Sequence, residues 1–537
     1  MIKTFLFIFM LFIVGCTKNN TQTNNDNSSL DSISQAETSD NHLACRTKSD
    51  NQIEYILKKI KNSDKQSGAI LYFHGGLSSQ NYMKDELGPM LLGSLFNQTD
   101  MNNYYPIFVN YDASLFQGEN LLRLIERISK GVGFQRGLKK FKEKLLIDKI
   151  AINKLSDNDN KVFERELAKQ SMSYLDPALS NTTSRKNFQY RTFNEKQNDY
   201  ILILKNDEFA ETVGNDLIQS DKDFEEIAND IKSEIVTQKD ADSTKGLTSI
   251  KLGIGIVRAL ARFAVGNHHQ IVPTFEEEIF RALEYYGISI KNIAADHWDT
   301  VKKHSKQCFG KGAPGFKLIT KLLDYQKDNP GFTIHTISHS AGAIPTGELL
   351  KAISKKNQKI NSVNLIVPAI NQIDFNRLFI PHIDATEKLN SYILRKKEEK
   401  IDSIAWGAYP ASLLYFVSGL ADNAWYGDKM LLLEQHLHPT KRPYKDKQYL
   451  NYVKENPEPV WKFFKNNPES QYFYPGDLAY ENSNYSKRAS HECTKYPWIS
   501  TEVGKSIIKQ ITGKAVDSIP IPLKPLDKVK KANENCI

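Results

Sequence analysis

The chain has 537 residues, of which 40% are hydrophobic, 10% aromatic and 25% charged, and it carries a formal net charge of +8. A chain of this size and composition can bury one large elaborated core or two smaller ones, which excludes a fibrous or wholly disordered protein. Its lysines and arginines are scattered rather than clustered, which argues against a nucleic-acid partner, whereas a positive excess suits an anionic membrane surface.

At the N-terminus Lys3 precedes an apolar run from Phe5 to Val14, too short to cross a bilayer as a mature helix and fitting the core of a signal peptide. The run ends at Ile13-Val14-Gly15-Cys16, which resembles a bacterial lipoprotein signal. Residues 1–15 are therefore expected to be removed, leaving Cys16 as the lipid-bearing terminus and anchoring the protein to the cell envelope. Thr17, not Asp, follows the cysteine, which in a Gram-negative cell favours the outer membrane. Residues 16–42 are Asn, Thr, Ser, Asp and Gln with almost no large apolar side chains, and read as a disordered tether. Random-coil scaling gives that tether a reach of roughly 25–30 Å.

The globular part starts near residue 43. Ala69-Ile70-Leu71-Tyr72-Phe73 reads as a buried strand, followed by the turn His74-Gly75-Gly76-Leu77. A flexible loop in that position can aim a backbone N–H at a developing oxyanion, and Gly76 is the expected donor, with Gly75 or Leu77 as neighbours able to serve. Residues 105–111 read as the next strand. The following two hundred residues have a helical texture, with apolar residues at helix-like spacing over 120–128, 162–169, 223–235, 250–264, 275–286 and 316–327. Residues 117–314 are read as a helical cap inserted into a core that comprises 43–116 and 315–514. Within the insertion, Gly253-Ile254-Gly255-Ile256-Val257 is expected to be core rather than a lipid-contacting face, and Trp298 and Phe280 to pack it. His268 with His269, and His297 with His304, form only weak ligand patterns, so no metal and no cofactor are assigned.

The stretch that organises the chain is residues 331–350. A β-branched apolar run after an Asn329-Pro330-Gly331 turn ends in Ser338-His339-Ser340-Ala341-Gly342 and gives way to a helical pattern. Strand, sharp turn and helix are the setting of a nucleophile elbow, with Ser340 as nucleophile and the N–H of Ala341 as second oxyanion donor. Ser338 departs from the usual glycine, and Pro345 predicts a tightened first helical turn. Two further strands read at 363–369 and 389–395. The charged loop after them offers Asp402, Glu399 and Glu398, in that order, as the acid of a triad. His491, just ahead of a helical pattern at 501–511, is the expected base.

Cys45, Cys308, Cys493 and Cys536 allow two disulfides in an oxidising compartment, with three pairings open. Residues 515–537, with Pro520, Pro522 and Pro525, read as an extended tail.

The strand with His74-Gly75-Gly76, the elbow at Ser340, the segments Val367-Pro368-Ala369 and Ser412-Leu413-Leu414-Tyr415-Phe416-Val417-Ser418, and Ser490-His491 together resemble uncharacterised bacterial serine hydrolases of α/β-hydrolase fold over most of residues 65–515. The resemblance implies a mostly parallel sheet flanked by helices and Ser-His chemistry at Ser340 and His491, and it brings no substrate. The expectation is a lipid-anchored serine hydrolase of lipase or esterase type, cleaving a hydrophobic ester or acyl substrate through an acyl-enzyme. The alternative is a non-catalytic surface lipoprotein using the same fold as a binding scaffold.

Overall fold

Strands of an all-parallel sheet covered by helices are buried on both faces, as Gly68–Phe73 and Tyr104–Asn110 are along their whole length. The strands are β1 (His42–Ala44), β2 (Gly68–Phe73), β3 (Tyr104–Asn110), β4 (Thr333–His339), β5 (Ile360–Ile366), β6 (Thr386–Leu394) and β7 (Gln471–Tyr474). They form one all-parallel sheet in the order β1-β3-β2-β4-β5-β6-β7. The computed structural model describes residues 41–45, 50–63, 67–76, 82–98, 100–111, 119–145, 157–182, 193–238, 249–394, 403–405, 407–422, 458–474, 491 and 493–536. The chain divides into two units, Met1–Asn41 and His42–Ile537, and the architecture is that of the second. Cys16 lies outside the described residues. Among the described residues, no helix is long and apolar enough to cross a membrane.

From β2 the chain steps outward to β3, then crosses back over β2 to β4 and runs on to β7 in the opposite direction. The order therefore reverses between β2 and β4, and a crevice opens outside their carboxyl ends, where open parallel sheets hold ligands. Local details fit this order. Pro106 lies in β3, yet β1 pairs only with Phe108, Val109 and Asn110, so the proline occupies the part of β3 that forms the sheet edge and interrupts no ladder on that side. Across β5 and β6 the buried Asn364 and Asn390 face each other in register. Asn390 Nδ2 donates to Asn364 Oδ1 at 2.9 Å, and Asn364 Nδ2 donates to the Thr336 carbonyl at 3.0 Å. A slip of one residue would strand these amides in an apolar interior, so the ladder fixes the register.

Before the switch point lie α1 (Asp50–Asn62) and α2 (Gly88–Gly93). Between β3 and β4 the described residues hold ten α-helices. They are α3 (Glu119–Ser129), α4 (Val132–Lys144), α5 (Asp157–Thr182), α6 (Phe193–Lys205), α7 (Asp207–Ser220), α8 (Lys222–Gln238), α9 (Ser249–Ala264), α10 (Ile271–Ala282), α11 (Ile290–Cys308) and α12 (Pro314–Asp328). The stretch 253–257 is core, as its pattern indicates: Leu252, Ile254, Ile256 and Val257 are fully buried. Its glycines admit a close crossing, since a Cβ on Gly214 of α7 would fall 2.7 Å from the Gly253 carbonyl carbon. Trp298 and Phe280 are likewise buried, and Phe275 stacks on Phe141 with ring centroids 4.3 Å apart.

After β4 come α13 (Ala343–Ser354), α14 (Gln372–Leu378), α15 (Leu413–Phe416), α16 (Glu458–Asn466), α17 (Thr501–Thr512) and α18 (Leu526–Cys536). The last corrects the extended tail: the prolines stop at Pro525, and beyond them Val529 and Ala532 bury one face of a helix. His42, expected in the tether, belongs to β1. Of the three open cysteine pairings, Cys45 bonds Cys308, closing the end of β1 onto the end of α11 across 263 residues. Cys493 is also disulfide-bonded. The side chain of Cys536 lies outside the described residues.

A buried ionic cluster joins the inserted helices to the segment 409–422. Arg262 of α9 pairs with Glu277 at 2.5 Å and Glu278 at 2.9 Å, His269 Nδ1 donates to Glu277 at 2.8 Å, and the Tyr409 hydroxyl donates to the same carboxylate at 2.5 Å. Arg281 donates to the Gly419 carbonyl. Burial alone would push the Glu277 carboxyl up, but His269, Arg262 and the Tyr409 hydroxyl hold it at about 2. A second link runs from Lys302 of α11 to Asp374, at 3.0 Å, and to Asp422. Removing one member of a buried ionic cluster leaves the others charged and desolvated. Glu277→Ala is therefore expected to lower unfolding free energy by about 3–5 kcal/mol, read from urea titration against the parent protein.

Candidate active site

The sheet delivers two loops to the switch point, and the residues at their tips set the geometry. β4 ends at His339, and Ser340 takes φ 54°, the left-handed region that a residue with a Cβ enters only under constraint. A tight turn over Ser340–Gly342 then passes into α13, which is the tightened start that Pro345 predicts. The turn can form because residue 342 has no side chain. A Cβ there would sit 2.6 Å from the Phe73 carbonyl oxygen and 2.9 Å from the Phe73 Cβ, at the end of β2. Ser338, in place of the usual glycine, is fully buried and satisfied. Thr346 Oγ1 gives its hydrogen to the Gly342 carbonyl at 2.9 Å, so Ser338 Oγ is the donor in its 2.5 Å contact with Thr346. From the β5 side, the Ala369 N–H donates to the Ser340 carbonyl at 2.9 Å and holds the turn from beneath.

The loop after β2 closes on the elbow from the other side. A Cβ on Gly75 would meet His339 Nδ1 at 2.9 Å and the Ser340 Cβ at 3.3 Å, so only glycine permits this approach. His74 fixes the loop: its ring stacks on Tyr111 at 4.7 Å, its Nδ1 donates to the Gly75 carbonyl at 2.9 Å, and its own carbonyl accepts the Tyr111 hydroxyl at 2.6 Å. Gly76 follows, buried. Ala341, also buried, is in the first turn of the elbow helix, where backbone N–H groups lack intrahelical acceptors and the helix dipole favours negative charge.

His491 arrives from the turn ahead of α17. Its Nε2 lies 2.9 Å from Ser340 Oγ, across 151 residues of sequence. Both side chains are buried, Ser340 at 3% and His491 at 2% exposure. The turn that carries His491 is tied down by its carbonyl, which accepts from Thr494 Oγ1 at 2.7 Å and from His339 Nε2 at 3.1 Å. Burial, reinforced by the charge of Lys495, holds the His339 imidazole at about 3. It is therefore neutral near pH 7 with its hydrogen on Nε2, where the carbonyl requires a donor.

Ser340 and His491 thus meet, with Ala341 next to the nucleophile in the chain, and the loop residue set against Ser340 is Gly75, with Gly76 following it. Asp402, Glu399 and Glu398 lie outside the described residues, as does Leu77. Sequence reasoning missed His339, Thr494, Thr346 and Tyr111, which position the elbow, the histidine and the glycine loop. His339 carried the one visible signal, a large ring between two serines in a motif of otherwise small residues. Among the described residues, no group of three His, Cys, Asp or Glu side chains could hold a metal ion. Chemically, a hydroxyl hydrogen-bonded to an imidazole can be activated as a nucleophile.

No protein-family model, no curated protein and no solved structure matches the chain.

The buried histidines predict how stability follows pH. His339 is held at about 3, and burial holds His335 of β4 at about 4, both below the ordinary 6.5. The unfolded chain therefore binds these protons more readily than the folded one. Their contribution is complete above about pH 6.5 and is lost as pH falls toward 4 and 3, at up to about 1.4 kcal/mol per pH unit for each ring. The melting temperature is expected to begin falling below about pH 6.5, ahead of the carboxylate range. His335→Asn is expected to flatten that part of the profile in calorimetry.

Proposed function

We propose that the protein is a serine hydrolase acting on ester-type bonds, built on the α/β-hydrolase fold, with residues 117–314 as a cap over the site and Cys16 as a lipid anchor. The observation that carries the reading is the 2.9 Å contact between Ser340 Oγ and His491 Nε2 on a turn where Ser340 stands at φ 54°. Supporting it, the sheet reverses its order at β2 and β4, and the glycine loop leaves β2 beside the nucleophile.

In this reading Oγ of Ser340 attacks the substrate carbonyl while its proton passes to Nε2 of His491. The oxyanion is held by the N–H groups of Ala341 and Gly76. Nε2 then returns the proton to the leaving alkoxide, the ester C–O bond breaks, and an acyl group remains on Oγ. Water attacks the acyl carbon and gives a proton to the same nitrogen, the acyl C–Oγ bond breaks as Nε2 returns that proton to Ser340 Oγ, and the acid leaves. An acid from the loop after β6, Asp402 or Glu399, would orient the His491 ring and stabilise the imidazolium. Thr494 and His339 act through the His491 carbonyl and so position the base without touching substrate. A hydrophobic ester or acyl substrate suits an enzyme anchored in a lipid layer and covered by helices.

The scaffold alternative draws on one observation, the burial of both side chains. The two readings part on a simple measurement: hydrolysis of nitrophenyl esters of graded acyl length by the parent, Ser340→Ala and His491→Ala. Loss of turnover by on the order of 10⁶ in both variants, at unchanged melting temperature, is the expected result. Equal turnover by Ser340→Ala and parent would remove Ser340 from the mechanism. Absence of turnover in a folded parent across the series would favour the scaffold.

A further inference from the structure

The C-terminal segment presents an apolar surface that the site does not use. Residues 519–523 belong to no helix or strand, and the fold buries some of their side chains and exposes others. Ile519 and Pro522 face the protein, and Pro522 seals against α2, where a Cβ on Gly93 would lie 3.1 Å away. Ile521 and Leu523 are 59% and 82% exposed, and Leu526 at the start of α18 is 74% exposed. Leu92, next to Gly93, extends the same surface from α2. Three large side chains this exposed within six residues exceed the scattered exposure usual on a soluble surface.

The segment is held firmly in place. Gln98 donates to the Ser518 carbonyl at 3.1 Å, Lys514 pairs with Asp100 at 2.8 Å, and Lys528 pairs with Glu86 at 3.1 Å. Near these residues in the chain Lys524, Lys530 and Lys531 are exposed, as are Asp527 and Glu534, and Lys530 approaches Glu534 at 3.9 Å. Two facts orient this face. The folded unit begins at His42, whose Nε2 donates to the Met83 carbonyl at 3.3 Å and whose ring lies against Gly88, the first residue of α2. His42, the first residue of the folded unit, thus lies at one end of α2, and the apolar surface is packed against the other end.

We propose that Leu92, Ile521, Leu523 and Leu526, with Lys524, Lys530 and Lys531 of the C-terminal segment, form a surface that docks on a bilayer bearing anionic headgroups. Apolar tips enter the headgroup boundary while lysines pair with lipid phosphates, which is how peripheral proteins combine the two contributions. A lipid on Cys16 would hold the chain near such a surface, and the docking face would then set its orientation. This deepens the anchored reading and is independent of the hydrolytic one.

Because His42–Ile537 is a compact unit with its own core, the chain from residue 17 onward tests the surface without the lipid. It is mixed with vesicles of equal phosphatidylglycerol and phosphatidylethanolamine and floated on a density gradient. Flotation of the parent that weakens in high salt is expected. Ile521→Asp/Leu523→Asp/Leu526→Asp should lower partitioning by on the order of 100-fold, and each of Lys524→Ala, Lys530→Ala and Lys531→Ala by roughly 5-fold. These positions are exposed, so melting temperatures should match the parent. Ser340→Ala should float as the parent does, which separates this test from that of the hydrolase reading. A parent that stays at the bottom of the gradient overturns the proposal, as does a triple variant that floats equally. A triple variant that changes only the oligomeric state assigns the face to a second copy of the chain and overturns it too.

Discussion

The structure depends on how closely the ends of β2 and β4 approach one another. Two neighbouring parallel strands can each send a loop over the same crevice only if the loops carry no side chains where they meet, and here Gly342 passes the Phe73 carbonyl while Gly75 passes Ser340. That approach forces Ser340 into a left-handed backbone, at about 1–3 kcal/mol for a residue with a Cβ. The surrounding contacts hold it there: Ala369 from β5, Thr346 from α13, and the ring of His339. Constraint of this kind aims one hydroxyl at one imidazole.

The histidine reaches that hydroxyl through a separate arrangement. Its turn lies far along the chain and is fixed by backbone rather than by side-chain contacts alone, since the His491 carbonyl accepts from both Thr494 and His339. His339 therefore lies beside Gly75 with Nδ1 and donates to the His491 carbonyl with Nε2, linking the two halves of the site. Elsewhere, the inserted helices are tied to segment 409–422 by a charged cluster that is buried among apolar neighbours. Breaking such contacts exposes several desolvated charges at once, so motion of the proposed cap would have to occur in parts of it other than α9 and α10.

Much of this was legible in the sequence because it is local. Alternation of Gly and small residues after an apolar run marks both the 74–76 loop and the 338–342 elbow, and the chain order of the two motifs fixes which neighbour in space. The long helical insertion follows from periodicity, although α4, α6, α7 and α11 were not picked out in detail. What was not legible is non-local. β1 has only three residues and is a strand because β3 offers it an edge. The Cys45–Cys308 bond spans 263 residues, and no spacing encodes it. Thr346, Thr494 and Tyr111 acquire roles only once folding brings their partners to them. The prolines of the tail concealed α18, whose buried face requires the neighbouring surface to exist first.

The proposed chemistry requires that the fold activate Ser340 through His491. The most direct measurement is reaction of the purified protein with a fluorophosphonate probe, with the modified residue located by mass spectrometry in the parent and in His491→Ala. Phosphonylation at Ser340 in the parent, and its loss when His491 is replaced, is the predicted result. A folded parent that stays unlabelled, or labelling of Ser340 that proceeds equally well without His491, would contradict it.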